Sequence, residues 1–201
     1  MTLFATCERI DDGATLLRGF CARETAALMV EIERIAADAP LRTMITPGGQ
    51  SMSAAMTNCG SAGWVTDRTG YRYAPHDPMT GQPWPAMPDS FQALAARAAD
   101  AAGFQNFAPD ACLINRYLAG AKMGLHQDKD ERDFAQPIVS VSLGAPATFL
   151  WGGLKRNDKT RRFTLEDGDV VVWGDVSRLV FHGVAPIKDG VRYNLTFRKA
   201  L

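Results

Sequence analysis

The sequence predicts an α+β chain, mainly β, with its strands in a sandwich or jelly roll. Three observations carry that expectation. From Ala111 onward, short runs rich in β-formers follow one another with Gly and Asp turns between them. Two segments of helical period come before them. No internal repeat or low-complexity run divides the 201 residues, and 46% hydrophobic content suits one sizeable core. A single domain over 1–201 is expected, with about 1–110 as helical support and about 111–201 as the β core.

The first helix is expected over Arg23 to Ala39, where Ala27, Leu28, Ile32 and Ile35 recur at helical spacing and Pro40 ends the run. The second is expected over Asp89 to Ala102. An Asp-x-x-Gln capping pattern (Asp89, Gln92) stands behind Pro88, and Gly103 stops it. Residues 44–76 are the least regular stretch with aromatic content, with Trp64, Tyr71 and Tyr73 among Gly60, Gly63 and Gly70. The Pro/Gly-rich run from Tyr73 to Pro88 reads as a loop inside the domain. Strands are expected at 111–117, 137–143, 147–151, 161–165, 169–173, 178–182 and 191–198. Helices first and strands later put the helices against one outer sheet.

Met1 to Arg18 carries acids and has no long apolar run, so neither a signal peptide nor a membrane span is expected. Cys7, Cys21, Cys59 and Cys112 show no C-x-x-C pairing and read as free thiols of a reducing, cytoplasmic compartment. A monomer is expected. Lys and Arg balance Asp and Glu at 22 each, so the chain as a whole lacks the basic footprint of a nucleic-acid binder. Locally it does not. Lys155, Arg156, Lys159, Arg161 and Arg162 crowd one segment, and Lys122 and Lys129 flank His126. By itself such a cluster reads equally as a solvated hairpin.

The chemistry-bearing pattern is His126-Gln127-Asp128 with His182 far downstream. Two imidazoles and one carboxylate in an H-x-D…H layout form the facial triad that holds non-haem Fe(II) with positions left open. Alternate residues of an extended segment share a face, so His126 and Asp128 reach one ion together and His182 closes the site. Period 2 also governs 192–198. Arg192, Asn194, Thr196 and Arg198 fall on one face, and Tyr193, Leu195 and Phe197 on the other. Two arginines on an inner face are costly unless an anion meets them, and guanidinium forks match a small dicarboxylate. Read alone, the strand is equally an edge strand with a wet polar face. A second polar strand puts Leu113, Asn115 and Tyr117 on one face just upstream of the metal motif.

These runs have a family likeness. Asn115-Arg116-Tyr117 within 109–117, His126-Gln127-Asp128-Lys129-Asp130, Val139-Ser140-Val141-Ser142 within 138–144, Gly152-Gly153-Leu154-Lys155-Arg156-Asn157-Asp158, Gly168-Asp169-Val170-Val171-Val172-Trp173-Gly174 and Arg192-Tyr193-Asn194-Leu195-Thr196-Phe197-Arg198 resemble the AlkB family of Fe(II)/2-oxoglutarate dioxygenases. Met44-Ile45-Thr46-Pro47-Gly48-Gly49 and Ser53-Ala54-Ala55-Met56-Thr57-Asn58-Cys59-Gly60 extend the likeness, which spans roughly 40–198 and is near the bacterial members. The segment between His182 and Arg192 looks shorter than in those members.

The resemblance implies a double-stranded β-helix (jelly roll) with N-terminal helices packed on one sheet and a nucleotide-recognition lid over 44–76. It implies Fe(II) on His126, Asp128 and His182, with 2-oxoglutarate and O2 as cosubstrates. Asn115, Tyr117, Arg192, Asn194 and Arg198 would hold 2-oxoglutarate, with Arg198 on the far carboxylate and Arg192 nearer the iron. Trp64 would face the base opposite His126, and Tyr71 would approach phosphate. Tyr73, Met56, Leu113 and Arg156 would join the substrate contacts, and Asp130 would meet the exocyclic amine. The implied activity is oxidative demethylation of 1-methyladenine and 3-methylcytosine in DNA, single- or double-stranded, with RNA left open, releasing formaldehyde, succinate and CO2. Two alternatives remain: an Fe(II)/2-oxoglutarate hydroxylase or demethylase of a protein or small metabolite, and a noncatalytic module with a structural metal.

Overall fold

The computed structural model describes residues 6–201. The first five residues of the opening stretch expected to lack a signal peptide lie outside them. In chain order come β1 (Thr6–Asp11), β2 (Ala14–Arg18), α1 (Thr25–Asp38), β3 (Arg42–Ile45), β4 (Ser51–Gly60), β5 (Gly63–Asp67), β6 (Gly70–Ala74) and α2 (Asp89–Ala101). The second half holds β7 (Ala111–Tyr117), β8 (Met123–His126), β9 (Ile138–Gly144), β10 (Ala147–Trp151), β11 (Arg161–Leu165), β12 (Val170–Trp173), β13 (His182–Val184) and β14 (Arg192–Arg198). Eight strands form the major sheet in the order β1-β2-β12-β9-β14-β7-β4-β3, four form the minor sheet β11-β10-β13-β8, and β5-β6 stand apart as a hairpin. Two facing antiparallel sheets with helices on one outer face make the expected jelly roll.

Alternation along the central strands sorts core from site. On one face of the major sheet, Cys112, Ile114, Val139, Val141, Val170, Val172, Leu195 and Phe197 bury against Leu28, Ile32 and Ile35 of α1 and Phe91, Leu94 and Ala98 of α2. Phe91 meets Phe197 edge to face, centroids 5.8 Å apart. The opposite face of the same strands carries Leu113, Asn115, Tyr117, Ser140, Arg192, Asn194, Thr196 and Arg198 toward a cavity between the sheets. A third apolar cluster, with Leu16, Phe149, Trp151, Val171 and Trp173, glues the two sheets together at one end.

Several expectations need correction. The stretch 44–76 is not irregular: β4 is a ten-residue strand of the major sheet, paired with β7 from Ala55↔Arg116 to Gly60↔Ala111. Its small, polar residues have weak β-propensity, and its neighbours in the sheet override that. The same pairing means the sheet crosses the expected division near residue 110, and β1–β2 also join it from the N-terminal side. Asp89 does not cap α2. It is the first helical residue, Pro88 holds the cap position, and Gln92 donates to Met87 O instead. Ala27 of α1 stays exposed. The strand expected at 178–182 is a turn until His182, because Arg178 is drawn inward. Its guanidinium donates to Asp128 O, Gln136 O and Glu131, after a 3-10 turn at Asp175–Ser177. Strand β8 had no separate expectation.

Candidate active site

Strands β8 and β13 pair so that His126 lies opposite His182. That pairing depends on Gly183, where a Cβ would sit 2.7 Å from Met123 O. The two rings come within 4.4 Å, centroid to centroid. Asp128 lies just past the end of β8, held there by Gln127 Nε2 donating to Leu179 O (2.6 Å) and Arg178 Nη1 donating to Asp128 O (2.7 Å). One ligand atom from each of His126, Asp128 and His182 falls within 4.8 Å of the others, and no fourth His, Cys, Asp or Glu joins them among the described residues. The donor set therefore fits the open facial triad expected for Fe(II), not the closed shell of a structural site.

The imidazoles are already set for the task. Nδ1 of His126 faces Gly124 O at 2.9 Å and Nδ1 of His182 faces Val180 O at 3.0 Å. A carbonyl only accepts, so each Nδ1 carries its proton and each Nε2 lone pair is left toward Asp128. Burial and the neighbouring His126 push the His182 pKa down to about 4, so it stays neutral. Burial works against a charged His126 as well, but the hydrogen bond and charge of Asp128 outweigh it and raise its pKa. Burial likewise opposes ionisation of Asp128, yet Arg198 and the two histidines hold its carboxyl well below the usual range.

The two arginines of β14 are unlike. Arg198 is engaged: Nη2 donates to Asp128 Oδ2 at 2.8 Å and Nε lies 3.2 Å from Glu131 Oε1. Arg192 is 1% exposed and, among the described residues, its guanidinium bonds only Ser142 Oγ, through Nη2, while its Nε and Nη1 have no partner. Burial outweighs the weaker pull of Tyr117 and Asp169 and draws its pKa down to about 10. Asn115 Oδ1 is also buried and unpartnered on the facing strand, and Tyr117, its phenol held neutral by burial, lies opposite Arg192 in the register. The unpaired donors of Arg192 and the hydroxyl of Tyr117 can receive an anion at this end of the cavity, whereas Asn115 Oδ1, an acceptor, calls for a donor. Arg198, expected on the far carboxylate, thus already pairs with Asp128 and Glu131 at the metal end, whereas Arg192, expected nearer the iron, is the guanidinium with donors left over among the described residues. Asn194 lines the same wall, but its amide donors are taken by Ser140 Oγ and Val141 O.

The β5–β6 hairpin covers the loop after β8. Trp64 stacks on Tyr71, centroids 5.6 Å apart, and its Nε1 donates to Asp130 Oδ2 at 2.8 Å. Tyr73 donates from its hydroxyl to Glu131 Oε1 at 2.6 Å. Tyr71 is half exposed. Leu113 lines the cavity, and Met56, expected among the substrate contacts, is fully buried in the apolar cluster beneath the hairpin that also holds Leu113 and Tyr117. Arg156 lies exposed with its guanidinium 5.8 Å over the ring of Phe181, next in sequence to His182, so the basic loop borders the site. Sequence reasoning missed Glu131, Arg178 and the serine pair Ser140 and Ser142. The serines left a signal, since they alternate with Val139, Val141 and Leu143 in an otherwise apolar strand.

Comparison with known proteins agrees with this geometry. The model of the 2OG-Fe(II) oxygenase superfamily matches residues 13–198. The chain is 56% identical over 211 aligned residues to the alpha-ketoglutarate-dependent dioxygenase AlkB of Escherichia coli (strain K12), covering 100% of this chain and 98% of that one. It is 43% identical over 182 residues to the alpha-ketoglutarate-dependent dioxygenase AlkB homolog of Caulobacter vibrioides, covering 87% and 81%. The solved structure of OsALKBH1 superposes with a TM-score of 0.85 at 29% identity, covering 96% of this chain and all of that one.

Proposed function

The chain belongs to the AlkB family of 2OG-Fe(II) oxygenases, and we propose on that footing that it repairs alkylated nucleic acid by oxidative dealkylation, with 1-methyladenine and 3-methylcytosine in DNA as its substrates. The observation that carries the reading is the facial triad beside an unpaired buried guanidinium, under an aromatic hairpin. When bound, Fe(II) with 2-oxoglutarate and O2 supplies the oxidation of the N-methyl carbon, which leaves as formaldehyde while 2-oxoglutarate becomes succinate and CO2. The protein's part is orientation and exclusion of water.

His126, Asp128 and His182 hold the metal through Nε2, a carboxylate oxygen and Nε2, with both Nδ1 protons anchored on backbone carbonyls. Arg192 receives the far carboxylate of 2-oxoglutarate on its free Nε and Nη1, and Tyr117 adds a neutral phenol. Arg198 steadies Asp128. Trp64 and Tyr71 offer stacking faces to an extruded base, and Asp130 accepts from its exocyclic amine. Both lesions are cationic and poorly paired, which favours a carboxylate partner and eases extrusion. Arg156 and its basic neighbours take phosphate.

Single-stranded DNA is the proposed preferred form, acted on by a monomer with 1–201 as one catalytic domain. The four free cysteines support a cytoplasmic location. No helix among the described residues is long and apolar enough to cross a membrane. The test is mass spectrometry of a 1-methyladenine oligonucleotide incubated with protein, Fe(II), 2-oxoglutarate and O2. Loss of one methyl mass with matching formaldehyde supports the reading. Equal 2-oxoglutarate turnover with and without the oligonucleotide would favour a protein or metabolite substrate.

A further inference from the structure

The segment Asp128–Glu131 is where three systems meet. Asp128 belongs to the metal triad. Asp130 takes the indole N–H of Trp64 from β5, and Glu131 takes the hydroxyl of Tyr73 from β6. Both strands of the cover therefore tie to the four residues that begin with a metal ligand. Glu131 is the deeper tie. Its side chain is 2% exposed, and both oxygens are in use. Oε2 accepts from Arg178 Nη2 at 3.0 Å, and Oε1 is shared between Tyr73 Oη at 2.6 Å and Arg198 Nε at 3.2 Å. The same Arg198 Nε also reaches Asp128 Oδ2 at 3.2 Å.

We propose that Glu131 is a positioning residue that couples closure of the β5–β6 cover to the metal and cosubstrate end, with Tyr73 as its switch. The physics is competition for one guanidinium. With the cover closed, the Tyr73 hydroxyl takes part of the charge on Oε1, and Arg198 is left to Asp128 Oδ2. With the cover open, Oε1 has only Arg198 as donor, which draws the guanidinium toward Glu131 and away from Asp128. Arg178 holds the other end fixed, since it clamps Glu131 and the backbone of Asp128 at once. Neither Glu131 nor Arg178 need touch the base or 2-oxoglutarate to do this. Coupling of this kind is reciprocal: whatever fills the metal end must tighten binding under the cover by the same factor.

The inference rests on the reading of β5–β6 as the cover over an extruded base, and its test separates the two. Affinity of full-length protein for a fluorescent 1-methyladenine oligonucleotide is measured by anisotropy, without O2, with and without Mn(II) plus 2-oxoglutarate. The unmodified protein is expected to bind about fivefold or more tighter with them, the low end of ordinary coupling. In Tyr73→Phe that ratio is expected to fall to near one, with melting temperature and 2-oxoglutarate affinity in the absence of DNA retained. Glu131→Gln should lose the ratio too, because a neutral amide no longer competes with Asp128 for Arg198. A ratio preserved in Tyr73→Phe, with binding weakened equally in both conditions, would mean the bond only braces the hairpin and would overturn the proposal. A ratio of one in the unmodified protein overturns it as well. No oligonucleotide binding in either condition would instead remove the functional reading beneath it.

Discussion

Replacing Arg192 with Met should move ligand affinity and stability in opposite directions. Arg192 is buried with two donors unpartnered among the described residues, and the carboxylate proposed for it would complete it. Truncating one partner of a buried, hydrogen-bonded charge pair costs about 2–5 kcal/mol. At about 1.4 kcal/mol per decade, that weakens 2-oxoglutarate binding roughly thirtyfold to a few thousandfold. Without ligand the sign reverses. Lowering the Arg192 pKa from 12.5 to about 10 corresponds to about 3 kcal/mol of uncompensated charge burial. Met removes that cost while keeping apolar bulk, so the ligand-free protein should melt higher by up to about 6–12 °C, on a scale of about 2–4 °C per kcal/mol for a chain this size. Arg198→Met should do the reverse without ligand, because it strands Asp128 and Glu131, a loss of about 3–5 kcal/mol for a broken buried pair. Calorimetric titration of 2-oxoglutarate into the Mn(II) protein without O2, paired with thermal melts, measures both. An unchanged Kd in Arg192→Met, or a ligand-free melting point several degrees lower, would refute the assignment of the free guanidinium to the far carboxylate.

Protons should compete with metal at one histidine before the other. His126 has its pKa raised above its usual value and must lose its proton to bind, so Co(II) affinity should fall about tenfold per unit as pH drops below that value. His182 adds a second proton only near pH 4, and a slope of two at pH 5–6 would contradict its depressed pKa. Gly183→Ala should push β13 off β8, because the new Cβ meets the immobile backbone at Met123. Co(II) binding is expected to weaken tenfold or more with a stability loss of about 1–3 kcal/mol, and an unaltered Co(II) Kd would show that the strand contact does not set the triad. Asp130→Ala should lower kcat/KM on 1-methyladenine and 3-methylcytosine more than on neutral 1-methylguanine or 3-methylthymine, whereas equal losses would assign Asp130 to holding Trp64. Oligonucleotide affinity should fall with salt, and Arg156→Ala should flatten that slope by about one or less; a slope near zero in the unmodified protein would count against phosphate contact.

What the chain disclosed in advance was whatever alternation writes plainly. In 192–198 polar and apolar residues take strict turns, so both the helix-side core and the cavity wall could be read directly, while in 111–117 only Asn115 and Tyr117 marked the cavity side of a mostly apolar run. The triad was legible because its residue types are chemically rare. The roles of the two arginines were not, because they depend on which carboxylates already stand nearby, and Asp128 and Glu131 come from a loop whose path no periodicity fixes. Strand β4 was obscured for a different reason. Its serines, alanines and glycine resemble loop composition, and only its place between β3 and β7 makes it a strand. The turn at 178–181 misled because Val180 and Leu179 look strand-like, whereas the buried guanidinium of Arg178 dictates the path.

The major sheet takes its edges from the first third of the chain and its centre from the rest. A gene cut after residue 110 would part β4 from β7 and β2 from β12, opening two seams at once. The helices would leave with one fragment and the strands they cover with the other. The catalytic half is therefore not a cassette that recombination can move by itself. Duplication, fusion or surface display must carry the whole chain, and any split-reporter version of this enzyme would have its halves recognise each other along strand edges rather than through added tags.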